Sequence, residues 1–153
     1  MPRKLQSEIA QSKPFGSIEE VAFLNLAKSA GVLQQKLEEL LKPYGISHTQ
    51  YNVLRILRGA GSGGLSCREV GARMISHDPD ITRLLDRMEA SALVTRGRAT
   101  ADRRVVVTRI TLPGLKLIEQ LDQPLATHLK DALRHVGKTK LALLIGLLEL
   151  IRK

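Results

Sequence analysis

Residues 102–114 read Asp102-Arg103-Arg104-Val105-Val106-Val107-Thr108-Arg109-Ile110-Thr111-Leu112-Pro113-Gly114. Residues 104–110 are rich in β-branched side chains, residues 93–96 form a second β-prone run, and the loop 97–103 between them is polar and basic. Two such runs around a short polar loop predict a β-hairpin. Pro113 and Gly114 then open a long helix. The stretch therefore predicts a basic hairpin that leads directly into a helix.

Two short helices are predicted immediately upstream of this hairpin. Ser66 and Glu69 form a capping box, which predicts the start of the first helix. Asp78 and Pro79 predict the second, with Asp78 as its N-cap and Pro79 at the first helical position, and the helix runs to about Ser91. This order is typical of a helix-turn-helix, in which the N-terminal residues of the second helix reach base edges in the major groove. The hairpin would be a wing that reaches phosphates or the minor groove.

The positive charge is concentrated on the same elements. The chain has 153 residues and a net charge of +9, of which +5 falls within residues 47–113. All eleven basic residues in that segment are arginines, whereas the flanking segments hold ten lysines and only three arginines. Guanidinium groups bind phosphates and guanine edges through two hydrogen bonds, which ammonium groups cannot do. The charge pattern favours a nucleic-acid partner, and the alternative is a codon bias toward arginine.

The two ends of the chain predict helices with too little core to cover them. A capping box at Ser17 and Glu20 opens a helix of about 25 residues, and the helix after Gly137 is apolar almost all round. We therefore predict a dimerisation layer, with two winged lobes about one DNA turn (roughly 34–36 Å) apart. The predicted fold class is mainly α with a small β-hairpin wing (α+β). The predicted parts are a flexible arm (1–16), a dimerisation helix and connector (17–46), a winged helix-turn-helix lobe (47–113) and C-terminal dimerisation helices (114–153).

These residues carry a resemblance to a known family. Residues 102–114 resemble the wing signature of the MarR (multiple antibiotic resistance regulator) family, and residues 81–89 resemble its recognition helix. The order and spacing of the elements match over about residues 18–152. One departure is Ala92, where the family usually has glycine between helix and strand. A left-handed residue at that position would be strained by the added methyl group.

The resemblance implies roles for individual residues and for the whole chain. Asp102 and Arg104 would form a pair that shapes the wing, and Arg103 would lie near its tip, where the family places a basic side chain in the minor groove. The family also implies an obligate homodimer that blocks promoters. Release would follow the binding of a small, often phenolic or anionic, ligand.

The predicted contacts with DNA lie on both helices and on the hairpin. They are Ser66, Arg68, Pro79, Asp80, Thr82, Arg83, Arg87, Arg96, Arg98 and Arg103. Asp80 has an alternative role at the helix N-terminus, where a carboxylate is favoured by the helix dipole. Arg87 also has an alternative, because Asp86 and Glu89 are near enough in sequence to bind it.

The candidates for a ligand site are aromatic. Phe23, Tyr44 and Tyr51 fall where relatives hold their effector, and core packing is the alternative for each. Cys67 lies at a helix start beside Arg68, a place that can favour a thiolate, although a small residue that fills the helix start is the simpler explanation.

Composition excludes several other classes of function. Aromatic residues make up 3% of the chain, too few for single-stranded nucleic acid stacked on exposed rings. One cysteine excludes an internal disulfide and any multi-cysteine metal site, and the histidines lack metal-ligand spacing. Carboxylates and nucleophiles form no local catalytic pattern, so we expect neither an enzyme nor a cofactor. No apolar run is long enough to span a bilayer, and we expect a cytoplasmic protein.

The sequence therefore predicts a homodimeric regulator that binds a specific sequence of double-stranded DNA. Its operator would be pseudo-palindromic. The regulator would be a repressor that a small ligand releases from DNA. One alternative is an architectural DNA binder without a ligand. Another is a helical interaction protein whose basic surface docks an acidic partner.

Overall fold

The computed structural model describes residues 3–77 and 80–153, and the chain forms two compact units, residues 1–39 and 40–153. The first unit contains α1 (Arg3–Glu8) and most of α2 (Ile18–Leu41). The Ser17 hydroxyl accepts a hydrogen bond from the Glu20 amide at 3.1 Å, which confirms the predicted start of α2. The Glu20 carboxylate accepts from the Gly16 amide rather than from that of Ser17. The sequence predicted no regular structure before residue 17, so α1 is a correction, and its Leu5 side chain is buried.

The second unit holds the remaining elements around one core. They are α3 (His48–Ala60), β1 (Leu65–Ser66), α4 (Cys67–Arg73), α5 (Ile81–Ala90), β2 (Val94–Arg98), β3 (Val106–Ile110), α6 (Leu112–Leu133) and α7 (Lys138–Ile151). The predicted capping box of Ser66 with Glu69 forms, and Ser47 forms another with Gln50, as the spacing of a hydroxyl and an amide side chain three residues apart indicates. The core is formed mainly by Leu41, Val53, Leu54, Leu57, Val70, Leu84, Leu85, Met88, Val94, Ile118 and Leu121, all nearly inaccessible to solvent.

The predicted hairpin is part of a three-stranded antiparallel sheet. The strand order is β1-β3-β2, with Leu65 opposite Thr108 and Val94 opposite Ile110. Three of the four strand bounds of the hairpin differ by one or two residues from the predicted runs, the end of β3 at Ile110 agrees, and the loop covers residues 99–105. β1 is only two residues long and carries no sequence pattern of its own. It ties the start of α4 to the wing.

The start of α5 differs from the prediction. The N-cap is Asp80, whose carboxylate accepts from the Arg83 amide at 3.3 Å, and the helix begins at Ile81. The predicted N-cap, Asp78, and Pro79 lie outside the described residues. A carboxylate three residues before an available amide satisfies one of the unpaired N–H groups of a helix start, and Asp80 does so for this helix.

A strained residue and a close backbone approach connect α5, β2 and α6. Ala92 has a φ of +58°, which confirms the left-handed conformation predicted there. The Thr111 hydroxyl donates to the Ala92 carbonyl at 2.6 Å and accepts from the Gly114 amide at 3.1 Å. A Cβ atom on Gly114 would lie 2.3 Å from the Leu93 carbonyl oxygen. The base of the wing and the start of α6 therefore meet in one compact corner.

Ala92→Gly is expected to raise the free energy of unfolding by about 0.5–1 kcal/mol, because the left-handed conformation costs an L-residue more than the extra backbone entropy of glycine. Urea unfolding measures the change. Ala90→Gly, at the exposed end of α5, is the control and should lower stability by about 1 kcal/mol. Equal losses in both variants would contradict the strain at Ala92.

Candidate nucleic-acid interface

The N-terminal ends of α4 and α5 lie against each other. The Cys67 sulfur, in the first residue of α4, is 3.7 Å from the Thr82 hydroxyl, near the start of α5. Thr82 is otherwise exposed, as is Arg68 on α4. The predicted contacts on the two helices are thus brought together at one end of the pair.

Ser66 has its hydroxyl occupied by the capping box. It accepts from the Glu69 amide at 3.3 Å and donates to the Glu69 carboxylate at 2.8 Å, and the Ser66 amide donates to the same carboxylate. These hydrogen bonds lower the pKa of Glu69, and the bond from the Ser66 backbone amide has the larger effect. Ser66 therefore fixes the start of α4, and its predicted contact with DNA stays a prediction.

Asp80 and Arg83 interact at the start of α5. Besides capping the helix, the Asp80 carboxylate lies 3.1 Å from the Arg83 Nε atom. The Arg83 side chain is nevertheless 82% exposed, so its guanidinium remains accessible. The helix-terminal role predicted as the alternative for Asp80 is the one that the structure contains. Pro79, the preceding predicted contact, lies outside the described residues.

The carboxylates of α5 bind a different arginine from the one predicted. Asp86 and Glu89 pair with the Arg96 guanidinium on β2, and Glu89 also accepts from the Arg96 backbone amide at 2.9 Å. The hydrogen bonds from Arg96 hold the pKa of Glu89 below its usual range. Within the described residues, Arg87 forms no ion pair and is exposed. The suggested pairing of Arg87 was wrong because β2 brings Arg96 within reach of the same carboxylates.

The wing loop is closed by its own polar groups. The Arg98 guanidinium donates to the Arg103 carbonyl at 2.8 Å, and the Val105 amide donates to the Asp102 carbonyl. The Asp102 carboxylate accepts from the backbone amide of Arg104 at 2.9 Å, so this pair forms through the backbone and not the guanidinium. Arg103 and Arg104 are both exposed. Their positive charges are displayed at the tip of the hairpin.

The aromatic candidates lie in different units. Phe23 belongs to the first unit and is 69% exposed, whereas Tyr44 and Tyr51 belong to the second and are half-buried. Burial raises the pKa of Tyr51 above its ordinary value. Their predicted role in binding a ligand stays a prediction.

Several supporting residues were not predicted from the sequence. Arg58 on α3 forms two hydrogen bonds with Asp122 on α6, at 2.8 and 3.0 Å, and they hold the pKa of Asp122 below its usual range. Arg109 on β3 donates to the Ser62 carbonyl, and Asn52 on α3 accepts from the Ile75 amide. These partners are 23 to 64 residues apart, so no local pattern indicates them.

Two kinds of site are absent from the described part of the chain. Residues 3–77 and 80–153 contain no group of three or more histidine, cysteine or carboxylate side chains arranged to hold a metal ion. Over the same ranges, the structure has no helix that combines the length and hydropathy needed to cross a bilayer.

Comparison with known proteins agrees with this architecture. The model of the MarR family matches residues 44–105. The transcriptional regulator PrsX of Escherichia coli is 32% identical over 99 residues, which are 65% of this chain and 60% of PrsX. The repressor CouR, known from Rhodococcus jostii RHA1, superposes with a TM-score of 0.79 in its complex with a 23-mer DNA duplex, at 20% identity and covering 94% of this chain and 100% of that one.

The sequence identity is higher with a solved MarR transcription factor from Planctomyces limnophilus than with PrsX or CouR. That protein is 35% identical, superposes with a TM-score of 0.67, and the match covers 90% of this chain and 99% of that one. Identity at this level over nearly all of a relative, with the matching wing and helix pair, shows the family. The chain belongs to the MarR family.

Proposed function

We propose that this chain is a cytoplasmic transcriptional regulator that binds a specific sequence of double-stranded DNA. The observation that carries the proposal is that polar and basic side chains share the exposed face of α5. Thr82, Arg83 and Arg87 point to solvent, while Leu84, Leu85 and Met88 on the opposite face are buried. A helix held by one face and bearing arginines on the other is suited to the major groove.

The proposed contacts divide between bases and phosphates. Thr82 and Arg83 would reach base edges, since they lie in the first turn of α5 and arginine binds guanine through two hydrogen bonds. Arg68, Arg87, Arg98 and Arg103 would contact the backbone, with Arg103 at the minor groove. Arg96 is engaged by two carboxylates, and we assign it to the support of the wing.

We further propose that the chain acts as a homodimer on a pseudo-palindromic operator. Almost every apolar side chain of α7 is exposed in the single chain. The exposed set, between 41% and 65% accessible, is Leu143, Leu144, Ile145, Leu147, Leu150 and Ile151. An apolar surface of this extent on a helix indicates a protein partner, and a second copy would also supply the second DNA-binding lobe.

We also propose that the chain is a repressor and that a small ligand releases it from DNA. The CouR protein has been solved with p-coumaroyl-CoA and with DNA, so a protein of this fold has bound both kinds of partner. The half-buried rings of Tyr44 and Tyr51 are the candidate ligand contacts in the second unit.

Footprinting on the DNA that flanks the gene tests the proposed function. We expect two protected half-sites about one helical turn apart and a preference over random duplex of about a thousandfold or more at stated salt. The same footprint repeated with phenolic and acyl-CoA ligands should lose protection with one of them. Equal binding to random duplex would overturn the sequence-specific function in favour of an architectural one.

Arg103→Ala is expected to weaken binding to all duplex sequences and to lower the slope of log affinity against log salt by about one. The substitution keeps the Arg103 carbonyl, so the hydrogen bond from Arg98 that closes the loop is retained. Titrations between about 50 and 200 mM salt measure the slope.

Lys153→Ala removes one exposed charge outside the lobe and is the matched control, with an unchanged slope. A parental slope for Arg103→Ala would show that the wing tip does not contact phosphate.

A further inference from the structure

Asn52 is a buried polar residue in an apolar part of α3. Its side chain is 6% exposed, and the neighbouring Val53 and Leu54 are fully buried. Buried amides are normally hydrogen-bonded, because an unpaired one loses its interactions with water. The Asn52 Oδ1 atom accepts from the Ile75 amide at 3.0 Å, while its Nδ2 atom has no partner among the described residues.

The bond from Ile75 anchors the connection between α4 and α5. Ile75 follows the end of α4 at Arg73 and precedes the N-cap of α5 at Asp80. Its own side chain is 83% exposed, so it contributes little apolar anchoring. The described part of the connection is therefore attached to α3 by a backbone amide and the Asn52 side chain.

The position of this anchor matters for the start of α5. The buried residues Leu84, Leu85 and Met88 hold the middle and the end of the helix. Thr82 and Arg83, the proposed base contacts, precede them and are exposed. The positions of Thr82 and Arg83 therefore depend on the position of Asp80, at which the connection ends and α5 begins.

We infer that Asn52 is a positioning residue for sequence recognition, acting through the α4–α5 connection. The inference rests on the proposed function. If the connection exchanges between an anchored form that fits the operator and a released form that does not, the apparent affinity falls with the anchored fraction. Loss of one such hydrogen bond would shift the equilibrium from the anchored to the released form by about two- to tenfold, and this factor is the upper limit of the loss in operator affinity.

Two substitutions separate positioning from stability. Asn52→Leu removes the unpaired Nδ2 atom together with the acceptor, and it leaves the amide of Ile75, a residue that is 83% exposed, to bind water, so the melting temperature should change little. Asn52→Asp keeps an acceptor oxygen for Ile75 but buries a charge, so the melting temperature should fall. Asn52→Leu is therefore expected to change recognition but not stability, and Asn52→Asp is expected to change stability but not recognition.

The measurement is the ratio of affinities for two duplexes of equal length. One is selected by the parent protein from a randomised pool, and the other has random sequence. We expect Asn52→Leu to lower the ratio, by up to about tenfold, with unchanged affinity for the random duplex, and Asn52→Asp to keep the parental ratio. Thr108→Val, which alters another buried polar residue away from the connection, is the control and should also keep it.

Hydrogen exchange of the Ile75 amide provides a readout without DNA. Exchange should be faster in Asn52→Leu than in the parent and remain protected in Asn52→Asp.

A parental ratio in Asn52→Leu, or a parallel loss of melting temperature and of both affinities, would overturn the inference. If Asn52→Leu does not fold, Asn52→Asp decides: a parental ratio supports positioning, and a lowered ratio overturns it. A parent protein that binds both duplexes equally would overturn the proposed function itself. The variants test only the role of Asn52, so the two failures can be distinguished.

Discussion

The double variant Leu147→Glu and Leu150→Glu is expected to be monomeric and to bind its operator about a hundredfold or more weakly than the parent. Both side chains lie on one face of α7 and are at least half exposed in the single chain, so their replacement removes little from the core of that chain. Charges at both positions would have to be buried unpaired in the proposed dimer. A monomer also loses the second half-site, and with it the gain of about 10²–10⁴ that linked binding sites give.

Lys140→Glu provides a control with the same change in net charge on the same helix. It is exposed, and its position among the polar residues at the start of α7 should leave the dimer intact. Light scattering after gel filtration gives the oligomeric state, and mobility shift gives the affinity. A double variant that remains dimeric would show that α7 does not form the interface, and a monomeric parent would overturn the homodimer.

Gly114→Ala is expected to lower the free energy of unfolding by about 3 kcal/mol, near the upper end of what an overpacked site costs. The added Cβ atom would meet the Leu93 carbonyl oxygen at 2.3 Å and an Ile110 side-chain carbon at 3.0 Å. The first of these is backbone, which cannot move without opening the corner held by Thr111.

Gly71→Ala is the matched control, since a Cβ atom on this α4 residue would meet nothing within 4 Å. Its stability should rise by up to about 1 kcal/mol, the helix-propensity difference between glycine and alanine. Urea unfolding measures both variants. A fall in the free energy of unfolding of less than about 1 kcal/mol for Gly114→Ala would contradict the close packing of Gly114 against the Leu93 backbone.

The parts of the fold that were predictable from sequence are those with local causes. The capping boxes at Ser47 and Ser66 form because each hydroxyl and the side chain three residues on meet at a helix start. The hairpin and the order of the elements follow from the β-prone runs, the capping residues and the helical spacing of apolar residues. Family resemblance added the expectation of a strained, left-handed residue at Ala92, which the structure contains.

The failures of prediction have non-local causes or ambiguous local ones. β1 forms only because β3 lies beside it, and a run of two residues is too short to predict a strand from sequence. The choice of Asp80 over Asp78 as N-cap could not be made from residue type, since both are aspartates. Arg96 is attracted by carboxylates that lie close only after the chain has turned at Ala92.

For the candidate interface, the sequence predicted which residues are polar and outward, but not which are already occupied. Thr82, Arg83, Arg87 and Arg103 are exposed as a DNA-contacting set requires. Arg96 is occupied by Asp86 and Glu89 without any local signal, whereas the occupation of Ser66 was implied by its own capping motif.

The ion pair that joins Arg96 to Asp86 and Glu89 also changes how the charge of the lobe should be counted. Two carboxylates on α5 share a cation of their own, so they would repel an approaching phosphate less than their formal charges suggest. Arg58, bound to Asp122, is likewise an internal counterion. Of the eleven arginines in residues 47–113, these two have largely covered side chains and act as counterions within the protein, whereas Arg83 stays 82% exposed beside Asp80. The number of ions released from the duplex by each lobe should therefore follow the exposed arginines, and counting arginines in the sequence would overestimate it.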